Sequence, residues 1–91
     1  MQTQHTPGDW HVESHDHFYK VCDEQGVTIA DIPIQPLDPQ EWAEANARLI
    51  AGAPALLDAA LLVIDRWTHG DLAEAVRILN AAAATATGGG T

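Results

Sequence analysis

The chain has 91 residues, with thirteen acidic side chains against four basic ones and a net charge of −9 when histidine is neutral. That balance opposes direct binding to nucleic acid or to an anionic membrane, and the length allows one small domain whose single core only just offsets chain entropy. One cysteine, Cys22, excludes an internal disulfide and gives no sign of an oxidising compartment.

The opening "MQTQHTPGDW" has no cationic start and no apolar run, so a signal peptide is not expected. Residues 1–9 read as an N-terminal arm. Across residues 10–34 apolar and polar side chains alternate with period two, the strand signal. Trp10 and Val12, Tyr19 and Val21, and Val27 and Ile29 would share one apolar sheet face. "SHDH" at 14–17 suits a short polar turn, and "DEQG" at 23–26 suits a type I turn leading into a glycine bulge. A three-stranded antiparallel meander is expected.

"IPIQPLDPQ" carries three prolines and reads as an extended connector. Residues 35–84 form the helical part. Asp38 can cap a helix, Pro39 suits its first position, and Glu41 stands three residues after the cap. The helix should run to about Ala51. There "GAP" at 52–54 either ends it, with Pro54 starting a second helix, or kinks one continuous helix. That segment reaches about Thr68, with Gly70 as its C-terminal cap. Asp71 and Glu74 open a further helix that ends near Ala84, and residues 85–91 read as a flexible tail. The fold class is α+β: a three-stranded antiparallel β-meander followed by two or three α-helices, in one domain.

Between Pro54 and Thr68 only Asp58, Asp65 and Arg66 are charged, while Leu56, Leu57, Leu61, Val63, Ile64 and Trp67 cover most of the remaining circumference. A helix apolar nearly all round must be buried nearly all round. One small sheet and one alanine-rich neighbour cannot cover it, so a homo-oligomer assembled through the helices is expected. The longest apolar stretch, Ala53 to Ile64, is interrupted by Pro54 and Asp58 and reads as too short to cross a bilayer. A soluble cytoplasmic protein without a membrane partner follows.

Chemistry-bearing residues are few. His11, His15, His17 and Cys22 lie within twelve residues, with Glu13 and Asp16 among them. Their spacing matches no zinc pattern, and a hairpin tip splays its side chains into water, so solvated histidines are expected and no metal. There is no nucleophile elbow, no phosphate-binding glycine loop and no serine besides Ser14. Neither an enzyme nor a cofactor is expected. The first helix offers more. Trp42, Asn46, Leu49 and Ile50 share a face by their three- and four-residue spacing. Asn46 either hydrogen-bonds the proline-rich connector or reads a ligand. Arg48 either pairs with Glu44 one turn earlier or meets a phosphate or carboxylate. Arg66 and Arg77 complete the arginines, and Arg77 can pair with Glu74.

Three elements occur in fixed order: "HTPGDW" at 5–10, "VCDEQGVTIADI" at 21–32 and "ANARLIAGAPALLDAAL" at 45–61. Together they resemble a family of small phage- and prophage-encoded proteins, in which a threonine–proline–glycine–x–tryptophan element precedes a short sheet and an alanine–asparagine–alanine–arginine helix. Gly52 departs from the alanine more usual there. The general layout is similar to that of phage sponge proteins that sequester nucleotide immune signals, such as the cyclic ADP-ribose isomers of the Thoeris system. The resemblance implies a non-enzymatic binding module in the host bacterial cytoplasm. Trp42 would stack a base, and Asn46, Arg48 and Arg66 would supply polar contacts, with copies sharing a pocket. The acidity suggests an alternative: a protein–protein inhibitor that blocks a host defence complex as a nucleic-acid mimic.

Overall fold

The computed structural model describes residues 4–88, apart from the side chains of Thr68 and His69. Three strands, β1 (His11–Ser14), β2 (Phe18–Cys22) and β3 (Thr28–Pro33), are followed by two helices, α1 (Gln40–His69) and α2 (Leu72–Ala86). The strands form one antiparallel sheet in the order β1-β2-β3, as the alternation predicts. Both turns have local causes. Asp23 accepts the backbone N–H groups of Gln25 and Val27 on Oδ1, each at 2.9 Å, and Gly26 takes φ +84°. The Asp23 side chain thus builds the turn, and glycine supplies the left-handed residue. The first turn lies one residue later than expected: His15 N–H donates to Phe18 O at 3.0 Å. The register is therefore His11↔Cys22, Val12↔Val21 and Glu13↔Lys20.

Val27 is corrected. It precedes β3 and is exposed, whereas Ile29, Ile32 and Ile34 pack on the core. A bulge opposite Val21 and Cys22 explains the change. Val21 pairs with Ala30 and Cys22 with Thr28, leaving Ile29 as the extra residue. One extra residue lets Ile29 and Ile32, on opposite faces of a regular strand, both turn inward. Pro33 sits at the end of an edge strand, where its missing donor costs little.

The single 30-residue α1 decides between the alternatives at Gly52–Pro54: one continuous helix runs through Pro54. An interior proline costs about 3 kcal/mol, so packing must compensate. It does so along both flanks. The half next to the sheet buries Ala43 and Ala47 against Tyr19 and Val21. Gly52 lies against α2, where a Cβ would come within 2.7 Å of the Ala86 Cβ. Gly52 is thus a close-approach residue rather than a terminator. Asp38 does not cap α1; the N-cap is Pro39, with no side-chain hydrogen bond. Tyr19 serves this end instead. Its hydroxyl accepts from Gln40 Nε2 at 3.0 Å and donates to Glu44 Oε2 at 3.4 Å.

Gly70 is extended (φ −168°) rather than left-handed. Asp71 caps α2 as expected, accepting Glu74 N–H at 3.1 Å, but the Glu74 carboxylate turns to Arg77 at 2.6 Å instead of returning to the cap. Thr85 and Ala86, assigned to the tail, complete α2. Ala86 is buried against Gly52, and the contact extends the helix past Ala84. Residues 1–3 of the arm and 89–91 of the tail lie outside the described residues.

Candidate functional site

The face of α1 turned inward is not the one its largest side chains suggest. Ala43, Ala47, Ile50, Ala51 and Pro54 pack inward, while Trp42, Asn46 and Leu49 point out. Small residues win because they let the helix axis approach the sheet closely. Asn46 is therefore exposed, and among the described residues it makes no hydrogen bond to the connector. Trp42, Asn46, Leu49, Ala53, Leu57, Ile64 and Trp67 follow each other at steps of three, four or seven residues. They form one outward seam along the whole helix, with the large apolar members 40% exposed at Leu57 and 71% at Trp67. By length and composition Gln40–Trp67 is also apolar enough to cross a membrane, so the expected length limit is corrected: the unbroken helix removes it.

Arg48 lies on another face. Two residues from Asn46, it is turned about 200° away. It reaches into an open cleft of about 480 Å³ lined by Trp10 just before the sheet, His11 from β1, Gly52 from α1 and Thr85 from α2. The ion pair with Glu44 one turn earlier is present. Because Glu44 also accepts from Tyr19, the guanidinium is anchored through the core tyrosine. Arg66 stands eighteen residues further on, about 27 Å along the helix, where it faces Asp65 at 3.7 Å and covers Gly70. Of the four residues singled out for ligand binding, Arg48 alone lines this cleft. Trp42 and Asn46 share the seam, and Arg66 is remote from both.

Trp10 and His11 were not assigned to this site by sequence reasoning. Trp10 is oriented by its indole N–H, which donates to Thr6 O at 3.2 Å, and by the His5 ring, edge-on at 5.8 Å. An anionic ligand would meet a guanidinium, an imidazole and an indole here, the three groups best suited to a charged aromatic molecule.

On the outer face of the sheet the register assembles a second group. His11 Nε2 lies 3.2 Å from Glu13 Oε2, and His15 Nε2 lies 3.3 Å from Glu13 Oε1. Cys22 pairs across the strands with His11, and ligating atoms of His11, Glu13 and Cys22 all fall within 4.8 Å of one another. The Glu13 carboxyl is held below its ordinary range, chiefly by the hydrogen bond from His11 and then that from His15. Burial pushes the Cys22 thiol up, and the Glu13 charge adds to the effect. Arg77 pairs with Glu74, whose carboxylate raises the guanidinium further.

The family described as Salmonella phage P22 protein Y8K6 matches residues 1–90 of the chain. The chain belongs to that family. No curated protein and no solved structure matches it. The phage origin inferred from the threonine–proline–glycine–x–tryptophan and alanine–asparagine–alanine–arginine elements is therefore right at the level of a small phage-encoded protein. For this Y8K6-family chain, the cleft beside Arg48, the seam on α1 and the cluster around Glu13 are the features with chemistry to offer.

Proposed function

We propose that this phage accessory protein is a non-enzymatic, homo-oligomeric binding module that takes up a small anionic molecule, nucleotide-derived in class, in the host cytoplasm. The observation that carries the reading is the placement of Arg48 in the cleft with Trp10 and His11. In a chain of net charge −9, one of only four cationic side chains is presented to a cavity beside an indole. A cavity of this size suits a nucleotide-sized molecule. The ligand displaces Glu44 from the guanidinium, stacks on Trp10 and hydrogen-bonds Thr85. Sequestration of a host immune signal is the role such binding without chemistry would serve.

Association through α1 belongs to the same reading. A seam at heptad-like steps is the pattern two helices use to interlock, and a single polar Asn46 within it suits the setting of register. Ala53 lets the axes approach. A second copy is the occupant, because the seam extends along the entire helix and a matching helix of another copy presents the same exposed Trp42, Leu49, Leu57, Ile64 and Trp67.

Thermal-shift and calorimetric screening against cyclic nucleotides and ADP-ribose isomers tests the ligand. Saturating ligand at about 100 times Kd stabilises a protein by about 2.7 kcal/mol, and Arg48→Ala should remove that gain. Silence across the panel discards the reading. The exposed seam and the acidity favour a second one: an inhibitor that docks a host defence protein on α1. A chain that stays monomeric and captures such a complex in pull-down, with no small-molecule response, would establish that alternative.

A further inference from the structure

The geometry points to a binding site for a zinc-class divalent cation on the outer face of the sheet, with His11, Glu13 and Cys22 as ligands and His15 orienting Glu13. The chain's linear spacing resembles no metal motif, but the β1–β2 register places the imidazole and the thiol directly across from each other, with Glu13 two residues along the same face as His11. Tetrahedral ligands bonded at about 2.0–2.3 Å stand about 3.3–3.8 Å apart. The His11 to Glu13 separation is already 3.2 Å, and no separation within the triad exceeds 4.8 Å, so side-chain rotations of about an ångström close the set.

The donor types agree with one another. Imidazole nitrogen, carboxylate oxygen and thiolate sulfur form a mixed set that suits a borderline-soft ion such as zinc or cobalt and disfavours magnesium or calcium. Cys22 is 1% exposed, so its sulfur is screened from exchange with other thiols while facing Glu13. The thiol proton leaves as the metal–sulfur bond forms. His15 completes the outer shell. Its Nε2 lies 3.3 Å from the Glu13 oxygen that does not face His11, and its ring stacks on Phe18 at 4.6 Å with planes 2° apart. Such a partner holds a ligating carboxylate in one orientation. Three protein ligands leave the fourth position for water or an external group. His11 also lines the Arg48 cleft, so a bound cation would add positive charge at its edge. The site stands independently of that cleft's ligand, because the metal is read directly.

Untagged, chelator-treated full-length chain should be titrated with zinc against a chromogenic chelator, then with cobalt(II). One zinc per chain is expected, with cobalt giving the intense visible bands of tetrahedral coordination and a thiolate charge-transfer band in the near ultraviolet. His11→Ala and Glu13→Gln should each weaken zinc by about tenfold or more, and His15→Ala by less than His11→Ala. Cys22→Ser should remove the charge-transfer band. His17→Ala, exposed at the hairpin and outside the cluster, should change nothing. Circular dichroism of each variant separates loss of metal from loss of fold, and the His11 and Glu13 variants carry the test if Cys22→Ser fails to fold. Absence of stoichiometric binding, a cobalt spectrum without the thiolate band, or binding that survives His11→Ala overturns the site.

Discussion

The two halves of α1 have very different surroundings. From Gln40 to Ala51 the helix is seated on the sheet, and Ala43 and Ala47 close over Tyr19 and Val21 in a core that also draws in Trp10, Val12, Ile29 and Ile32. None of the residues from Pro54 to Trp67 belongs to that core cluster. Among the described residues of that half only Pro54 and Ala59 are buried, while Leu57, Ile64 and Trp67 stand in solvent. The sheet half buries one face within one chain and leaves Trp42 and Leu49 exposed on the other. The far half has the composition of a core and the exposure of a surface, which is how half of an interface looks. One helix can thus be seated on a core at one end and largely uncovered at the other.

Four perturbations would break or sharpen this contrast. The largest effect is expected at the seam. Leu49→Lys with Ile64→Lys should reduce the mass seen by light scattering to that of one chain, 9.7 kDa, with circular dichroism unchanged. Wild-type protein already at that mass would show that no second copy covers the far half, and co-sedimentation with vesicles would then test whether a bilayer does. In the sheet half, Val21→Ala removes two methyl groups from a fully buried site and should lower stability by about 2–3 kcal/mol. At about 4–8 °C per kcal/mol, the midpoint shift is easily read.

Gly52→Ala probes the boundary between the halves. Helix propensity alone would favour alanine by about 1 kcal/mol. The new Cβ, however, meets the Ala86 Cβ at 2.7 Å and its Cα at 2.9 Å, so α2 must move. Overpacking should win, with a net loss of about 1 kcal/mol; a stabilised variant would mean that the helices are not in close contact there. The smallest effect concerns Glu13. Its carboxyl is held below the ordinary value, so its contribution to stability is present above the ordinary carboxylate range, about pH 4.3–4.5. The contribution is lost as pH falls through the depressed folded value. Wild type should exceed Glu13→Gln slightly in thermal midpoint at neutral pH and converge with it in acid. Parallel curves at all pH values would remove the histidine contacts as the cause.

Legibility in the sequence followed the range of the physical signal. The Asp23–Gly26 turn and the Asp71 cap act over two to four residues and were readable at once. The metal-competent cluster was not, although its members were all noticed. Placing the first turn at Ser14–His17 instead of His15–Phe18 moves Cys22 out of reach of His11, and a small error in register reassigns every cross-strand neighbour. The spacing puts Trp42, Asn46 and Leu49 on one face, but it does not show that this face turns outward and leaves the place against the sheet to Ala43 and Ala47. Nothing local indicated that alanines would take that place. Arg48 lines the cleft, and its companions there are Trp10 and His11, about 37 residues earlier and brought beside it only by the packing of the sheet on α1.

What the sequence determined by itself is the class and order of elements: period-two alternation makes the strands, three-to-four periodicity makes the helices, and capping and turn residues punctuate them. Tertiary structure decided which face of α1 turns inward, the bulge that brings Ile29 and Ile32 to one side, and the passage of the helix through Pro54. Local preferences are worth tenths of a kcal/mol to about 1 kcal/mol per residue. Burial of a shared core sums over many distant residues at once, so where the two conflict, packing prevails.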